Sequence, residues 1–437
     1  MSAKYKKELQ NLGIKTLKPM QETAIKAMLS EREITLLSPT GSGKTLAFLL
    51  PLLSLINKNV AEVQVIILLP TRELALQIEE VFKKLQTGHK VTTCYGGHSM
   101  SIEKNNLKEA PKVIIGTPGR IDDHMNRNNF SWKAINTIIV DEFDKCLELG
   151  FNKEMKRIFK RLRLSKTVLT SATDLLDIPE FTGITKPIKL DYLDKNQDFN
   201  KNLSLLAVHS NDRDKLDALG NLLKEIAFEP TIVFCNRKDA IDRISDYLID
   251  NDFTIATFHG NLEQDERERS IIKFKNGSAH ILLCTDLAAR GIDLDNIKNI
   301  VHYHLPHQLS IFTHRNGRTA RMQKSGKAFL IFAPEENLSF EHDLEIENYL
   351  FTNETKYKEP EYRTLYISKG KKDKINKIDI VGFFYKQIEL DRGELGIIDV
   401  KDFCVYVGIK ASAIKKVMGR FNKQKIKGKT VKIELAR

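Results

Sequence analysis

Ser38-Pro-Thr-Gly-Ser-Gly-Lys-Thr45 sets two glycines, four hydroxyls and a lysine within eight residues, directly after the apolar run Ile34-Thr-Leu-Leu37. Glycine-rich backbone in that position can curl its N–H groups around phosphate oxygens, and the next helix presents its N-terminus to the same charge. Ser38, Thr40, Gly41, Ser42 and Gly43 are therefore candidate phosphate-loop residues. Lys44 would reach the β- and γ-phosphates, and the Thr45 hydroxyl would hold Mg²⁺. The general pattern begins with Gly, where this chain has Ser38. A chance glycine turn is the bland alternative, but strand, loop, Gly-Lys-Thr and the apolar helix from Leu46 agree on phosphate. A second cluster follows the apolar run Thr137–Val140: Asp141-Glu-Phe-Asp144. Beside a bound nucleotide, Asp141 can hold the metal and Glu142 can orient or deprotonate a water. Alone, the same residues would equally make a surface acidic turn. A third cluster, His314-Arg-Asn-Gly-Arg-Thr-Ala-Arg321, packs three arginines into seven residues, a cost usually met by facing anions. Arg318 and Arg321 are candidate fingers reaching across a domain cleft to charge on a transferring phosphoryl group. A solvated basic helix is the alternative.

Such residues need strand ends to hold them. Val63–Leu69, Lys112–Thr117, Thr137–Val140 and Lys166–Ser171 read as buried strands alternating with helices. Leu203–His209, Thr231–Cys235, His280–Thr285, Asn299–His304 and Lys327–Ala333 repeat the pattern. Alternation of this kind predicts parallel sheets covered by helices, with functional loops at the strands' carboxyl ends. The polar stretch Asp191–Asn202 divides the set into two α/β domains, residues 1–193 and 203–350. A second polar junction, 350–362, precedes a third domain, 363–437. There the order strand 364–368, helix 379–388, strands 396–400 and 403–408, helix 412–422, strand 430–435 is the split βαβ of an RNA-recognition fold.

Charge separates the third domain from the rest. Residues 363–437 carry 19 Lys and Arg against 8 Asp and Glu, a net of +11, leaving +1 of the chain's +12 for the other 362 residues. A polyanion-binding module explains this better than a lysine-coated surface. Lys415, Lys416, Arg420, Lys423, Lys425, Lys427 and Lys429 are candidate RNA-backbone contacts. Phe403 is one aromatic at a place resembling the usual stacking motif. Five scattered cysteines, never in a CxxC pair, fit reduced thiols in a cytosolic protein. No run approaches a membrane span, and MSAKYKKELQNLG carries no signal-peptide pattern. His302, His304 and His307 cluster, but no nearby cysteine or carboxylate completes a metal shell, so strand-end packing is expected.

In their order these motifs resemble the DEAD-box ATP-dependent RNA helicases over nearly the whole chain. The resemblance implies two tandem RecA-like domains, ATP and Mg²⁺ as cofactors, and RNA-stimulated hydrolysis that separates short RNA duplexes. Gly13–Gln21 is similar to the Q motif, whose glutamine, here Gln21, reads the adenine edge. Pro70-Thr71-Arg72, Gly96-Gly97 and Thr117-Pro-Gly119-Arg120 resemble the RNA-backbone motifs of the first domain. Asp141–Asp144 stands in the DEAD position. Ser171-Ala-Thr173, with Asp144 and His314, is similar to the groups coupling hydrolysis to strand separation. Gln264–Arg267 and Thr285–Asp293 resemble second-domain motifs, with Arg267, Thr285, Arg290 and Gly291 toward RNA and Asp293 near the ribose. The basic tail and Arg-Thr-Ala-Arg at 318–321 resemble the DbpA subfamily. That likeness implies a monomer in the cytoplasm, whose tail binds a hairpin of large-subunit ribosomal RNA on pre-ribosomal particles.

Departures from the family pattern are specific. Phe143 replaces a small Ala, Ile14 the usual aromatic, Lys18 the usual Thr, His304 the usual Asp and Asn316 the usual Ile. Tyr5 is a candidate replacement for the aromatic that stacks on adenine. Two other functions stay open: an ATP-gated RNA clamp with weak turnover because of Phe143, and a DNA-directed translocase.

Overall fold

The computed structural model describes residues 4–39, 41–97, 99–175, 177–193, 202–286, 294, 297–319, 325–352, 354–418 and 424–436, with only the backbone of Gln264 and Asp343. The first sheet contains β1 (Glu33–Leu37), β2 (Val65–Leu68), β3 (Val91–Cys94), β4 (Val113–Gly116), β5 (Thr137–Val140), β6 (Lys166–Ser171) and β7 (Ile188–Asp191). All strands run parallel in the order β3-β4-β2-β5-β6-β1-β7. Every residue of β2, β4 and β5 is buried. Helices cover both faces, so these strands are continuously apolar rather than alternating. The expected strands lie there, one or two residues shorter at several ends. β3 and β7 were not foreseen: they lie at the sheet's edges, where β3 alternates with threonines and β7 is largely exposed.

The second sheet repeats the wiring. It contains β8 (Leu203–His209), β9 (Thr231–Cys235), β10 (Ile255–Phe258), β11 (Ile281–Thr285), β12 (Asn299–His302), β13 (Gly326–Phe332) and β14 (Glu347–Asn348), in the order β10-β11-β9-β12-β13-β8-β14. Again the outer strands β10 and β14 are the ones that sequence periodicity missed.

The third domain is an antiparallel sheet, β16-β17-β15-β20, made by β15 (Tyr362–Ile367), β16 (Leu395–Val400), β17 (Val405–Lys410) and β20 (Ile433–Leu435). Asn376 and Asp379 form a reciprocal cap that starts the helix Lys377–Gly382, which continues as a π-helical turn, Phe383–Gln387. The second helix begins at Ile414 after a 3₁₀ turn, two residues later than expected, and is described as far as Met418. The last expected strand divides, because Lys427 and Gly428 both take positive φ and close a hairpin of β18 (Lys425–Ile426) on β19 (Lys429–Thr430).

One face of this sheet packs on the second domain. Tyr406 and Ala436 bury against Ile272 of the helix Gln264–Lys275, with Tyr366 and Cys404 at the edge. Ser278 Oγ and Thr364 Oγ1 lie 2.8 Å apart. Tyr366 and Tyr406, register partners with rings 5.7 Å apart, are the paired aromatics that the sequence reading did not pick out. Phe403, which it did pick out, sits in the turn before β17 and is 63% exposed.

Candidate nucleotide and RNA site

In the first domain β1 runs into the phosphate loop. Ser38 N–H donates to the Ser171 carbonyl at 3.0 Å, tying the loop's first residue to the end of β6. Gly41 and Gly43 hold φ of 75° and 98°, the left-handed region where a side chain is strained. A Cβ on Gly43 would also meet Gln21 Nε2 at 2.4 Å. Gln21 is itself buried. Its Oε1 accepts from Lys18 N–H at 2.9 Å, and its Nε2 donates to the Gly43 carbonyl at 3.1 Å. The glutamine thus braces the loop and the start of its own helix, Pro19–Ser30.

Lys44 opens the helix Lys44–Leu55, and its Nζ donates to the Ser38 and Pro39 carbonyls. Burial pushes this ammonium's pKa down, opposed by the carboxylates of Asp141, Glu142 and Asp144. Asp141, just after β5, is buried. Its carboxyl is pushed up by burial and drawn back by Lys44, the Thr170 hydroxyl and the Glu142 N–H. Glu142 takes a left-handed φ of 49° at the start of the helix Phe143–Glu148, a strained conformation for a non-glycine residue. Thr173 Oγ1 donates to Asp144 Oδ2 at 3.0 Å, and Thr173 N–H donates to Ser171 Oγ at 3.0 Å, so the three expected coupling residues of the first domain meet. Ser42 Oγ and Asp144 Oδ1 are buried without hydrogen-bond partners. A buried ammonium, facing acids, left-handed glycines and orphaned polar atoms fit a magnesium–nucleotide, which would satisfy them. Thr40 lies outside the described residues.

Phe143 points away from this chemistry. It is completely buried in the apolar cluster with Val140, Cys146, Met155 and Ile158, so the exchange for alanine fills core volume. Tyr5 is likewise buried in the core of the first domain, its hydroxyl 3.4 Å from Ser54 Oγ. That placement overturns the expectation of a ring for adenine: an apolar ring near the helix Lys44–Leu55 gains more by burial than by exposure. Ile14 packs at the edge of the same core.

The first-domain RNA motifs gather at strand ends. Thr71, after Pro70, caps the helix Arg72–Lys84. Arg72 is buried, pairs with Glu73 at 2.8 Å and leaves its Nη2 without a partner. A Cβ on Gly97, at φ 83°, would touch Arg72 Nη1 at 2.9 Å. Thr117 leads into the helix Pro118–Asn126, which carries Gly119 and Arg120. A residue not foreseen joins these pieces. Glu103, with no exposed surface, accepts from Tyr95 N–H at 3.1 Å, Arg120 Nε at 2.7 Å and His124 Nε2 at 2.7 Å. Burial pushes its pKa up, but the bonds from His124, the Tyr95 amide and Arg120 outweigh it and leave it lowered. Cys94 lies within 4.8 Å of the same group, but Arg120 already occupies the carboxylate, so this is an ion-pair hub rather than a metal shell. No sequence pattern distinguishes Glu103 from a solvated helix acid.

In the second domain Arg315, one of the three clustered arginines, is almost wholly buried and meets its anion within the protein. It forks onto Asp286 (2.6 and 2.8 Å) and donates to the His304 carbonyl at 2.6 Å and Asn236 Oδ1 at 2.9 Å. Its charge is satisfied by Asp286, beside Thr285. His302 packs between Phe234 and Phe312. Burial, then the neighbouring guanidinium, push its pKa down to about 3, so it is neutral. Packing is thus its role, as expected. Arg267 Nη2 donates to the Gly260 carbonyl. His314 and Arg318 lie at the end of and just beyond the helix Leu309–Asn316. Arg290, Gly291, Asp293 and Arg321 lie outside the described residues.

In the tail, Lys415, Lys416, Lys425 and Lys427 are exposed. Lys416 Nζ donates to the Glu389 carbonyl, and Lys427 Nζ to the Lys374 carbonyl at 3.0 Å. Arg420 and Lys423 lie outside the described residues. No described helix is long and apolar enough to cross a membrane.

Comparison with known proteins agrees with this geometry. Residues 18–175 match the DEAD/DEAH box helicase family, 214–323 the helicase conserved C-terminal domain and 364–435 the DbpA RNA binding domain. The chain is 32% identical to the ATP-dependent RNA helicase DbpA of Escherichia coli, covering 98% of this chain and 96% of that protein. It is 29% identical to DbpA of Bacillus subtilis over the same shares. Among solved structures, S. cerevisiae Dbp5 bound to RNA and ADP BeF3 aligns with a TM-score of 0.69 at 26% identity, covering 79% of this chain and 93% of that one. Mss116p bound to ssRNA and AMP-PNP aligns at 0.70 and 26% identity, covering 80% and 78%. The chain belongs to the DEAD-box ATP-dependent RNA helicases, in their DbpA-type branch with a C-terminal RNA-binding domain.

Proposed function

We propose that this RNA-stimulated ATPase separates short RNA duplexes within large-subunit ribosomal RNA, addressed there by its basic third domain. The observation that carries the chemistry is Lys44, buried at the start of the helix that follows the phosphate loop and acted on by Asp141, Glu142 and Asp144 after β5. On this reading the loop 38–45 cradles the ATP phosphates and Gln21 reads adenine. Thr45 and Asp141 hold Mg²⁺, which neutralises phosphate charge when bound. Glu142 orients the attacking water and accepts its proton. Arg318 and Arg321 neutralise charge on the γ-phosphate when RNA and ATP are bound together, and Asp293 lies by the ribose. Arg72, Gly97, Thr117, Arg120, Arg267, Thr285, Arg290 and Gly291 follow the RNA backbone, while Ser171, Thr173, Asp144 and His314 couple the two events. Phe143 in the core supports full turnover rather than a weakly hydrolysing clamp.

The net charge of +11 on residues 363–437 supports polyanion binding there, and lysine contacts make it salt-sensitive. Lys415, Lys416, Arg420, Lys425 and Lys427 are the proposed contacts to a ribosomal RNA hairpin. Five free cysteines, four of them buried, suit a monomer in the cytoplasm. The test is ATPase rate with ribosomal RNA fragments, unrelated RNA, DNA or no polymer, for the full chain and for residues 1–362. The expected result is stimulation by RNA alone, with preference for the ribosomal fragment only in the full chain. Equal stimulation by DNA overturns the RNA reading, and preference that survives truncation overturns the address.

A further inference from the structure

Asn316 precedes the Gly317-Arg318 turn and is 3% exposed. Its Oδ1 lies 3.0 Å from Nε2 of His302, at the end of β12. A guanidinium offers only N–H donors, so Arg315 Nη1, 3.3 Å from His302 Nδ1, is the donor in that contact. This fixes the tautomer: Nδ1 accepts from Arg315, and Nε2–H donates to Asn316. The isoleucine usual at this position in related helicases offers no acceptor. The arrangement has a visible cost, since Asn316 Nδ2 is buried without a partner. An apolar residue would avoid that orphan, so the useful group is the carbonyl oxygen.

Backbone bonds carry the arrangement to Arg318. The Arg315 carbonyl accepts Arg318 N–H at 3.2 Å, and the Asn316 carbonyl accepts Thr319 N–H at 3.0 Å. Thr319 Oγ1 in turn donates to the Ile297 carbonyl at 2.6 Å. Arg318 is therefore tied to Arg315 and the following Thr319 to Asn316, two residues whose side chains are anchored on Asp286, Asn236 and His302. We infer that Asn316 and His302 are positioning residues for Arg318, holding Arg315 in the orientation that aims Arg318 at the phosphate being transferred. The inference rests on the role proposed above for Arg318.

The experiment compares RNA-stimulated kcat and ATP KM in the full chain for wild type, Arg318→Ala, Asn316→Ile and Asn316→Asp. Asn316→Ile lowers kcat about tenfold with KM changed less than about twofold, the pattern of an interaction felt only in the transition state. Asn316→Asp, isosteric and still an acceptor, stays within about threefold of wild type at pH 8. Melting curves run alongside, because a purely structural role would lower the melting temperature yet leave kcat per folded molecule unchanged. Should the isoleucine variant not fold, the pH profile of Asn316→Asp decides. Arg315 is the charged group facing His302 and the Phe234 and Phe312 rings stack on it, so a carboxylate at position 316 raises the histidine's pKa. Protonated His302 cannot accept from Arg315, and kcat falls between pH 8 and 6 more steeply than in wild type. Wild-type kcat in Asn316→Ile, an Asn316→Asp as slow as Asn316→Ile, or parallel pH profiles overturns the inference. Full turnover in Arg318→Ala overturns the role of Arg318 itself. Loss there with none in Asn316→Ile overturns only the positioning.

Discussion

The two parallel sheets are wired identically, yet their strand ends hold different chemistry. After β1 comes a glycine loop and Lys44; after β8, its counterpart, come Ser210–Asp214 with no glycine, and then Lys215. Both lysines are buried. Lys44 faces three carboxylates and rests on two loop carbonyls. Lys215 is closed off by Glu336 at 2.7 Å and the Ile331 carbonyl at 2.9 Å. After β5 come Asp141 and Glu142; after β12, the counterpart, come Tyr303 and His304. One scaffold therefore presents a poised cation beside acids in the first domain and a finished ion pair in the second. Fold supplies the positions, and the residues at strand ends decide what they do.

Five substitutions sharpen or break that contrast. Glu142→Gln should lower RNA-stimulated turnover by about a thousandfold or more while ATP-dependent RNA binding persists, whereas His304→Ala, two residues past the equivalent strand, should stay within about fivefold. Steady-state ATPase with a filter-binding assay checks both, and similar losses would mean that the second sheet's strand end is also chemical. Phe143→Ala should cost about 3–5 kcal/mol of first-domain stability by opening a core cavity, with turnover per folded molecule preserved. Denaturant unfolding measured beside ATPase tests this, and an active-site role would show as lost kcat without lost stability.

Glu103→Ala leaves Arg120 and His124 without their shared carboxylate and should cost about 3 kcal/mol at pH 7. Because the folded pKa of Glu103 lies below its ordinary value of 4.5, this contribution is present above that pH and fades as pH falls through the folded value. Unfolding of variant and wild type should therefore converge in acid, and a constant difference would show that the carboxylate's charge is irrelevant. Lys215→Met has the smallest expected effect, about 1–3 kcal/mol from the lost ion pair with Glu336, with ATP affinity unchanged. A fluorescent-nucleotide titration that showed weakened ATP binding would break the distinction between the two lysines.

Much of this was legible in the chain. Strands buried on both faces appear as unbroken apolar runs, so β2, β5, β9 and β11 could be placed by eye. Glycines, Lys44 and the Asp141–Asp144 run advertise phosphate chemistry through residue types that such chemistry cannot replace. The net charge of the tail marked a separate module. Edge strands β3, β7, β10 and β14 were hidden, because a half-covered strand lacks a continuous apolar signal.

What the sequence could not determine is where each charge ends up. Arg315 and Arg318 look alike three residues apart, but only the packing of β11, β12 and the helix Leu309–Asn316 buries the first on Asp286. Phe143 looked like an obstacle to catalysis, and Tyr5 like a ring for adenine. The tertiary structure turns both into the core, where an aromatic side chain gains most from leaving water. Residue type and spacing determine which chemistry is available to a chain, because they follow from local backbone geometry. Burial and partner choice depend on contacts between distant segments, and only the folded structure decides them.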